Sequence, residues 1–218
     1  MVRRTKEEAL ETRDRILDTA EKVFLKKGVA ATSLADVADA AGVTRGAIYW
    51  HFKNKADLFD AMMQRVSLPM EEMVARAGDE NIEDPLAYVR GCALAVLERV
   101  TTDPQSRRVA EISRYKVEYA DEMEPLRARH IECRTECLGR IERGLRNAAK
   151  RGLLDRSVNP RIAAVGLHAL VDGLITNWVL DPKYVPLAKS AGPLIDGYLD
   201  GLRLAKVKKP SKPRKEKR

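Results

Sequence analysis

Apolar residues recur three and four apart along nearly the whole chain, and alternating β-branched runs bounded by turn residues are absent. The pattern predicts an all-α protein. Ile16, Leu17, Ala20, Val23 and Phe24 form one stripe of a first helix, which Thr5 and Glu8 open as a capping box and Gly28 closes behind Lys26 and Lys27. Ser33 with Asp36 repeats the capping signature. Leu34, Val37, Ala38 and Ala41 then follow at helical spacing until Gly42, so the second helix is short. Thr44 caps a third helix from Arg45 to about Phe52, and Asn54 with Asp57 caps a long fourth one beginning at Lys55. Further helices are expected at about 85–101, 105–119, 122–151, 160–180 and 192–204, with Pro, Gly or Asp-rich breaks between them.

Two short helices joined by Gly42 and Val43 have the proportions of a helix-turn-helix, in which the first helix braces the second against a duplex. Small Ala38 and Ala41 permit the close crossing. Ile48 and Phe52, four apart, form a strip that can pack on Leu34, Val37 and Val43. Arg45 and Tyr49 form the neighbouring strip and cannot share that burial. Tyr49, Trp50 and His51 in succession on so short a helix cannot all be core, so some must face a partner. Arg45 can hydrogen-bond guanine O6 and N7 together, and Gly46 lets the backbone come close to a phosphate or base. Thr44, Tyr49, Trp50 and His51 supply donors of a length suited to phosphate oxygens. Lys55 adds charge where the fourth helix presents its free amides.

The stretch Thr32-Ser33-Leu34-Ala35-Asp36-Val37-Ala38-Asp39-Ala40-Ala41-Gly42-Val43-Thr44-Arg45-Gly46-Ala47-Ile48-Tyr49-Trp50-His51-Phe52-Lys53-Asn54-Lys55 resembles the DNA-binding signature of the TetR family. With Arg3-Arg4-Thr5-Lys6-Glu7-Glu8 and Glu11-Thr12-Arg13 it is most similar to the AcrR-like subgroup, repressors of multidrug efflux-pump operons. The resemblance is strong over the first quarter of the chain. Beyond it the match is looser, through Arg107-Arg108, Val171-Asp172-Gly173-Leu174 and Trp178. It implies a repressor that binds a palindromic operator in double-stranded DNA as a homodimer and is released by a small hydrophobic inducer, drug-like or aromatic. It also implies Leu94, Leu97, Cys137, Ile141 and Val171 as pocket walls, although any one of them taken singly reads better as ordinary core. The chain is only 5% aromatic, a departure from drug-binding relatives with several aromatic walls. A regulator of a metabolic operon and an architectural DNA-binding protein are the alternatives.

Residues 160 to 180 are apolar on nearly every side and therefore need cover all round. Ala163, Gly166, Ala169 and Gly173, with Gly197 and Gly201 on the last helix, would let helices approach closely, which makes these two helices the candidate dimer interface. His168, Asp172 and Thr176 are each four apart on the same helix. Such a polar strip either orients a ligand in an apolar cavity or is satisfied by structural partners.

Composition adds less than it promises. The chain of 218 residues carries +8, but residues 206–218 alone carry +7 and the remainder only +1, so bulk charge does not mark the DNA-binding part. The expected organisation is a DNA-binding domain at 1–55, a ligand-binding and dimerisation domain at 56–205, and a disordered basic tail at 206–218 that either touches flanking DNA or only solubilises. Cys92, Cys133 and Cys137 are too few and too unpaired for a disulfide framework. His130, Cys133 and Cys137 share a helical face, but Arg129 and Arg134 flank them and no fourth ligand is evident, so neither a metal nor a cofactor is expected. No glycine-rich phosphate loop or nucleophile with a paired base suggests an enzyme. No signal peptide is visible, and His168, Asp172 and Asn177 interrupt the longest apolar stretch, which points to a cytoplasmic protein without a membrane span.

Overall fold

A computed structural model describes residues 6–119 and 123–203. Thr5 of the expected first capping box, the Arg3-Arg4 pair and the basic tail lie outside the described residues. Among the described residues, nine α-helices succeed one another: α1 Lys6–Lys27, α2 Leu34–Ala41, α3 Arg45–His51, α4 Lys55–Ala75, α5 Pro85–Thr102, α6 Pro104–Tyr115, α7 Glu124–Lys150, α8 Pro160–Leu180 and α9 Leu187–Arg203, with a 3-10 turn, Arg76–Gly78, after α4.

The local signals that set these boundaries are hydrogen bonds in the structure. Asp36 N donates to Ser33 Oγ (3.1 Å) while Ser33 N donates to Asp36 Oδ2 (2.9 Å), so the capping box opens α2 from both sides. Gly42 closes it at φ 63°, a left-handed conformation that costs glycine little. Ala47 N donates to Thr44 Oγ1 (3.2 Å) at the start of α3, and Asp57 N to Asn54 Oδ1 (2.8 Å) at the start of α4. Asp84, Asp103 and Asn159 cap α5, α6 and α8 in the same way, each with proline in the first turn, where a missing N–H costs nothing.

Two boundaries differ from the pattern. α6 stops at Tyr115 rather than 119, because the carbonyl of the next residue, Lys116, is taken by Val29 N (2.8 Å) from the turn after α1. α9 begins at Leu187 rather than at 192. Pro193 looks like a helix start but is tolerated inside, while Lys189 N and Ser190 N already close onto Pro186 O (2.9 and 3.1 Å) and Leu187 is buried.

Two cores hold the molecule. The first joins Ile16, Leu17 and Phe24 of α1, Leu34 and Val37 of α2, Ile48 and Phe52, and Leu58, Phe59, Met62 and Val66 of α4; it also takes in Val109 and Ile112 of α6 and Leu126 of α7. The second joins Leu86, Val89 and Leu97 of α5, Leu145 and Ala148 of α7, Ala164, Leu167 and Ile175 of α8, and Ile195 and Leu199 of α9. The expected domain boundary at 55 coincides with the first residue of α4, and the first core runs on beyond it. By length and hydropathy α8 would suffice to cross a membrane, but here it packs against α5, α6, α7 and α9. Its small residues divide: Ala163 and Gly166 face α9 of the same chain, where Tyr198 donates to Ala163 O (2.8 Å) and passes over Gly166, whereas Gly173 meets nothing within 4 Å.

This packing leads to two expected outcomes. A Cβ at Gly144 would stand 2.6 Å from Ala77 O and 2.8 Å from Val89 Cγ2. Gly144→Ala should therefore lose about 1–3 kcal/mol, whereas Gly91→Ala, in open space on α5, should gain about 0.5–1 kcal/mol; urea midpoints separate the two. Thr44→Ala should cost about 1 kcal/mol through loss of the α3 cap while Thr44→Ser retains it, again read from urea unfolding.

Candidate functional site

α3 has seven residues, too few to be helical alone, so its position comes from what it buries. Ile48 and Phe52 are essentially without exposure, each side chain supplying about 1.5–3 kcal/mol of burial. With that strip fixed, Arg45 and Tyr49 must stand outward. Tyr49 is 48% exposed and Trp50 73%, an unusual exposure for the largest side chain in the set. The Arg45 guanidinium lies over the Tyr49 ring (5.8 Å to the centroid) and Trp50 meets His51 edge-on (4.6 Å between centroids), so the outward side chains brace one another. A Cβ on Gly46 would meet nothing within 4 Å, which leaves the backbone open to close approach. The Thr44 oxygen is occupied as the cap, and its hydroxyl proton remains a donor.

Beside α3 runs a groove of about 510 Å³ bounded by Ala30 to Leu34, Asp36, Tyr49 and Lys53 to Lys55. It brings the N-termini of α2 and α4, each with positive backbone amides, to the same side as the α3 tyrosine. Lys55 crosses the groove and donates from Nζ to Ala30 O (3.2 Å), so it is both a cation and a strut. Asp36 sets a negative charge here, but Lys27 Nζ pairs with it at 2.8 Å. The hydrogen bond from Lys27, and then those from Ser33, hold its carboxyl well below the usual carboxylate range. Asp36 is therefore ionised in the first turn of α2, and with Lys27 beside it the pair is neutral overall. Sequence reasoning singled out Thr44, Arg45, Gly46, Tyr49, Trp50, His51 and Lys55, which the structure places on or beside this face; it missed exposed Lys53, whose backbone N–H is held by Asp57 (2.9 Å). A lysine adjacent to the Asn54 cap was the available signal.

The expected sensor residues fall differently. Leu97 is fully buried in the second core, with Leu94, Ile141 and Val171 partly buried against it. Cys137 is half-buried, and burial pushes its thiol upward, as it pushes Cys92 to about 11. Burial also pushes the His168 imidazole below its ordinary value, against the pull of Asp172. Asp172 and Thr176 are not free acceptors: Arg114 of α6 donates from Nη2 to Asp172 Oδ1 (2.7 Å) and from Nε to Thr176 Oγ1 (3.1 Å), and Tyr115 Oη donates to Thr176 O (2.7 Å). Their helical spacing gave no sign of this partner, since Arg114 lies about sixty residues away. Arg107 lies over the Trp178 ring at 5.0 Å, which brings together two residues far apart in sequence. Among the described residues, no three His, Cys, Asp or Glu side chains are grouped so as to hold a metal ion; His130 and Cys133 are exposed on α7.

Comparison with known proteins gives this geometry a family. Residues 16–62 match the profile of bacterial regulatory proteins of the tetR family, and residues 84–204 match the C-terminal region of MAATS-type transcriptional repressors. The HTH-type transcriptional regulator TtgR of Pseudomonas putida is 42% identical over 205 residues, covering 94% of this chain and 98% of TtgR. NalD, the secondary repressor of the MexAB-OprM multidrug efflux pump in Pseudomonas aeruginosa, superposes with a TM-score of 0.84 at 36% identity over 92% of this chain and all of NalD. The SmeT–triclosan complex superposes with a TM-score of 0.81 at 30% identity, over 95% and 99% of the two chains. The exposed α3 strip, the converging helix termini and the larger helical domain behind them are the parts of a transcription regulator, and the chain belongs to the TetR family, with a C-terminal half of the MAATS repressor type.

Proposed function

We propose that this protein is a cytoplasmic repressor of a multidrug efflux operon, bound to a palindromic operator as a homodimer and released by a small hydrophobic ligand. The observation that carries the reading is the division of α3: Ile48 and Phe52 are locked in the core while Arg45 and Tyr49 stand exposed beside a groove flanked by two helix N-termini. In this reading Arg45 reads a guanine and Gly46 admits the backbone. Thr44, Tyr49, Trp50, His51 and Lys55 hold phosphates.

Dimerisation is supported by the uncovered outer face of the last two helices. Ile162, Val165 and Leu180 of α8 and Leu194 of α9 are exposed, between 38 and 68%, as is Tyr184 in the connection between the helices, and a Cβ at Gly173, Gly197 or Gly201 would meet nothing within 4 Å. Exposed apolar side chains with small residues on the same two helices fit a second copy of this chain. The proposed ligand lies against Leu94, Leu97, Cys137, Ile141 and Val171, with His168, Asp172 and Thr176 as its polar edge. A multidrug ligand is supported by likeness to NalD and to the triclosan-bound SmeT.

Footprinting on the DNA upstream of the protein's own gene tests the core of this reading. One protected palindrome, with half-site centres about 34–36 Å apart or a multiple of that, is the expected result; even coating of any duplex would overturn it. Arg45→Ala should cost about 1–3 kcal/mol and relax preference at one base pair, while Lys55→Ala should weaken operator and random DNA alike. Val165→Asp should leave the helical content intact and shift the sedimentation coefficient to that of a monomer. A variant that still sediments as a dimer would place the interface elsewhere.

A further inference from the structure

α7 carries a stripe that leaves the core and ends in solvent. At spacings of three and four, Ala148 and Leu145 are buried in the second core, Ile141 is partly buried against it, Cys137 is half-buried, and Arg134 and His130 are exposed. α8 returns beside α7 after a short connection, and Arg161 Nη1 stands 3.6 Å from Glu142 Oε2, which fixes the register. Eight residues back from Glu142 is Arg134 and seven on from Arg161 is His168, about 10–12 Å along either helix, so the two lie across from each other. A further turn sets His130 across from Asp172, and each of these pairs interacts electrostatically. Arg114 of α6 reaches the same place and donates to Asp172 Oδ1 at 2.7 Å.

Two guanidiniums and two imidazoles from three helices thus meet one carboxylate. Asp172 already has Arg114, whereas among the described residues Arg134, His130 and His168 join no hydrogen bond or ion pair. Other charges nearby are engaged elsewhere: Arg129 is held by Asp60 of α4 at 2.6 Å, and Glu71 of α4 acts on the Cys133 and Cys137 thiols. Both imidazoles sit below their ordinary value. Partial withdrawal from water is the largest cause, and Arg134 and Arg114 lower both further against the pull of Asp172. They are therefore neutral near pH 7.5, with a donor to offer and a proton to take up.

We infer that the ligand of this site is an amphipathic weak acid, an aromatic or alkyl carboxylate, whose head is held by Arg134, His130 and His168 while its apolar body follows the α7 stripe inward over Cys137 and Ile141 to Val171 of α8. The inference rests on the ligand-released repression proposed above and names the chemical class of that ligand. A carboxylate gives Arg134 the two-pronged partner that its planar fork matches, and gives each imidazole an acceptor. A neutral apolar ligand would leave all three without a partner, and a cation would meet two guanidiniums. The gradient from charge to core along the stripe suits a molecule with one ionised end. A bound carboxylate also raises the imidazole pKa values that the free protein keeps low, so binding takes up protons and tightens as the pH falls.

Three naphthalenes of matched shape test this by calorimetry on the full-length protein without DNA: 2-naphthoate, 2-naphthamide and 2-naphthylmethylammonium. Naphthoate should bind at least about tenfold tighter than the other two. Its affinity should rise as the pH is lowered from about 8 to 6, where the acid itself stays ionised, while that of the amide stays constant. Arg134→Met, at an exposed position, should bring naphthoate down to the affinity of the amide, and Arg134→Lys should restore part of the difference. His130→Gln with His168→Gln should abolish the pH dependence. Amide or ammonium binding as tight as naphthoate would overturn the inference, as would no naphthoate binding at millimolar concentration or unchanged naphthoate affinity in Arg134→Met. Operator release is read separately, on the DNA protected in footprinting. Preferential naphthoate binding with operator affinity unchanged would sink ligand-released repression and leave the acid preference standing; release by the amide with no preference for naphthoate would do the reverse.

Discussion

The structure depends on a seven-residue helix that cannot hold itself. α3 is two turns long, and no combination of caps makes two turns stable in water. Ile48 and Phe52 have to be gripped by α1, α2 and α4 before Arg45 has a direction at all. The grip also explains the short bracing helix and its sharp exit: Gly42 turns left-handed so that Val43 can reach the core and Thr44 can cap α3. The exposed strip is therefore a by-product of the buried one, and changes in α1 or α4 that loosen the buried strip reach the DNA-facing side without touching it.

Electrostatics is arranged locally rather than in bulk. The chain outside its tail is nearly neutral. What favours an anion at the groove is two helix N-termini and Lys55 pointing the same way, with the nearby Asp36 already committed to Lys27 and Ser33. The opposite economy governs Glu21, where one charge is removed from water and its partners come from a different part of the fold. A buried charge of this kind adds little net stability but penalises every arrangement that separates its partners.

How much of this was legible varied with the range of the interaction responsible. Caps are written in residues three apart, so Ser33 with Asp36, Thr44 and Asn54 located α2, α3 and α4 closely. The two-strip reading of α3 needed only helical spacing. Where a distant segment decides, local pattern gave out: α6 ends early because Val29 claims the Lys116 carbonyl, and Asp172 and Thr176 look like an unclaimed polar strip until Arg114 arrives from α6. Glu21 passed unnoticed for the same reason. On the α1 stripe it reads as an ordinary charged position beside Ala20, and only the folding of α6 across it shows that the site is dry. Pro193 misled in a different way, since a proline that often starts a helix here sits inside one.

The chain has two tryptophans, and their surroundings differ sharply. Trp50 stands in solvent on the α3 face, while Trp178 is enclosed on α8 beneath the Arg107 guanidinium. An indole in water emits to the red of one in an apolar setting, so the two residues contribute separable components to the intrinsic fluorescence of the unlabelled protein. One responds to whatever covers the recognition face and the other to any change where α6 meets α8, and the protein thus carries its own optical readout of both places.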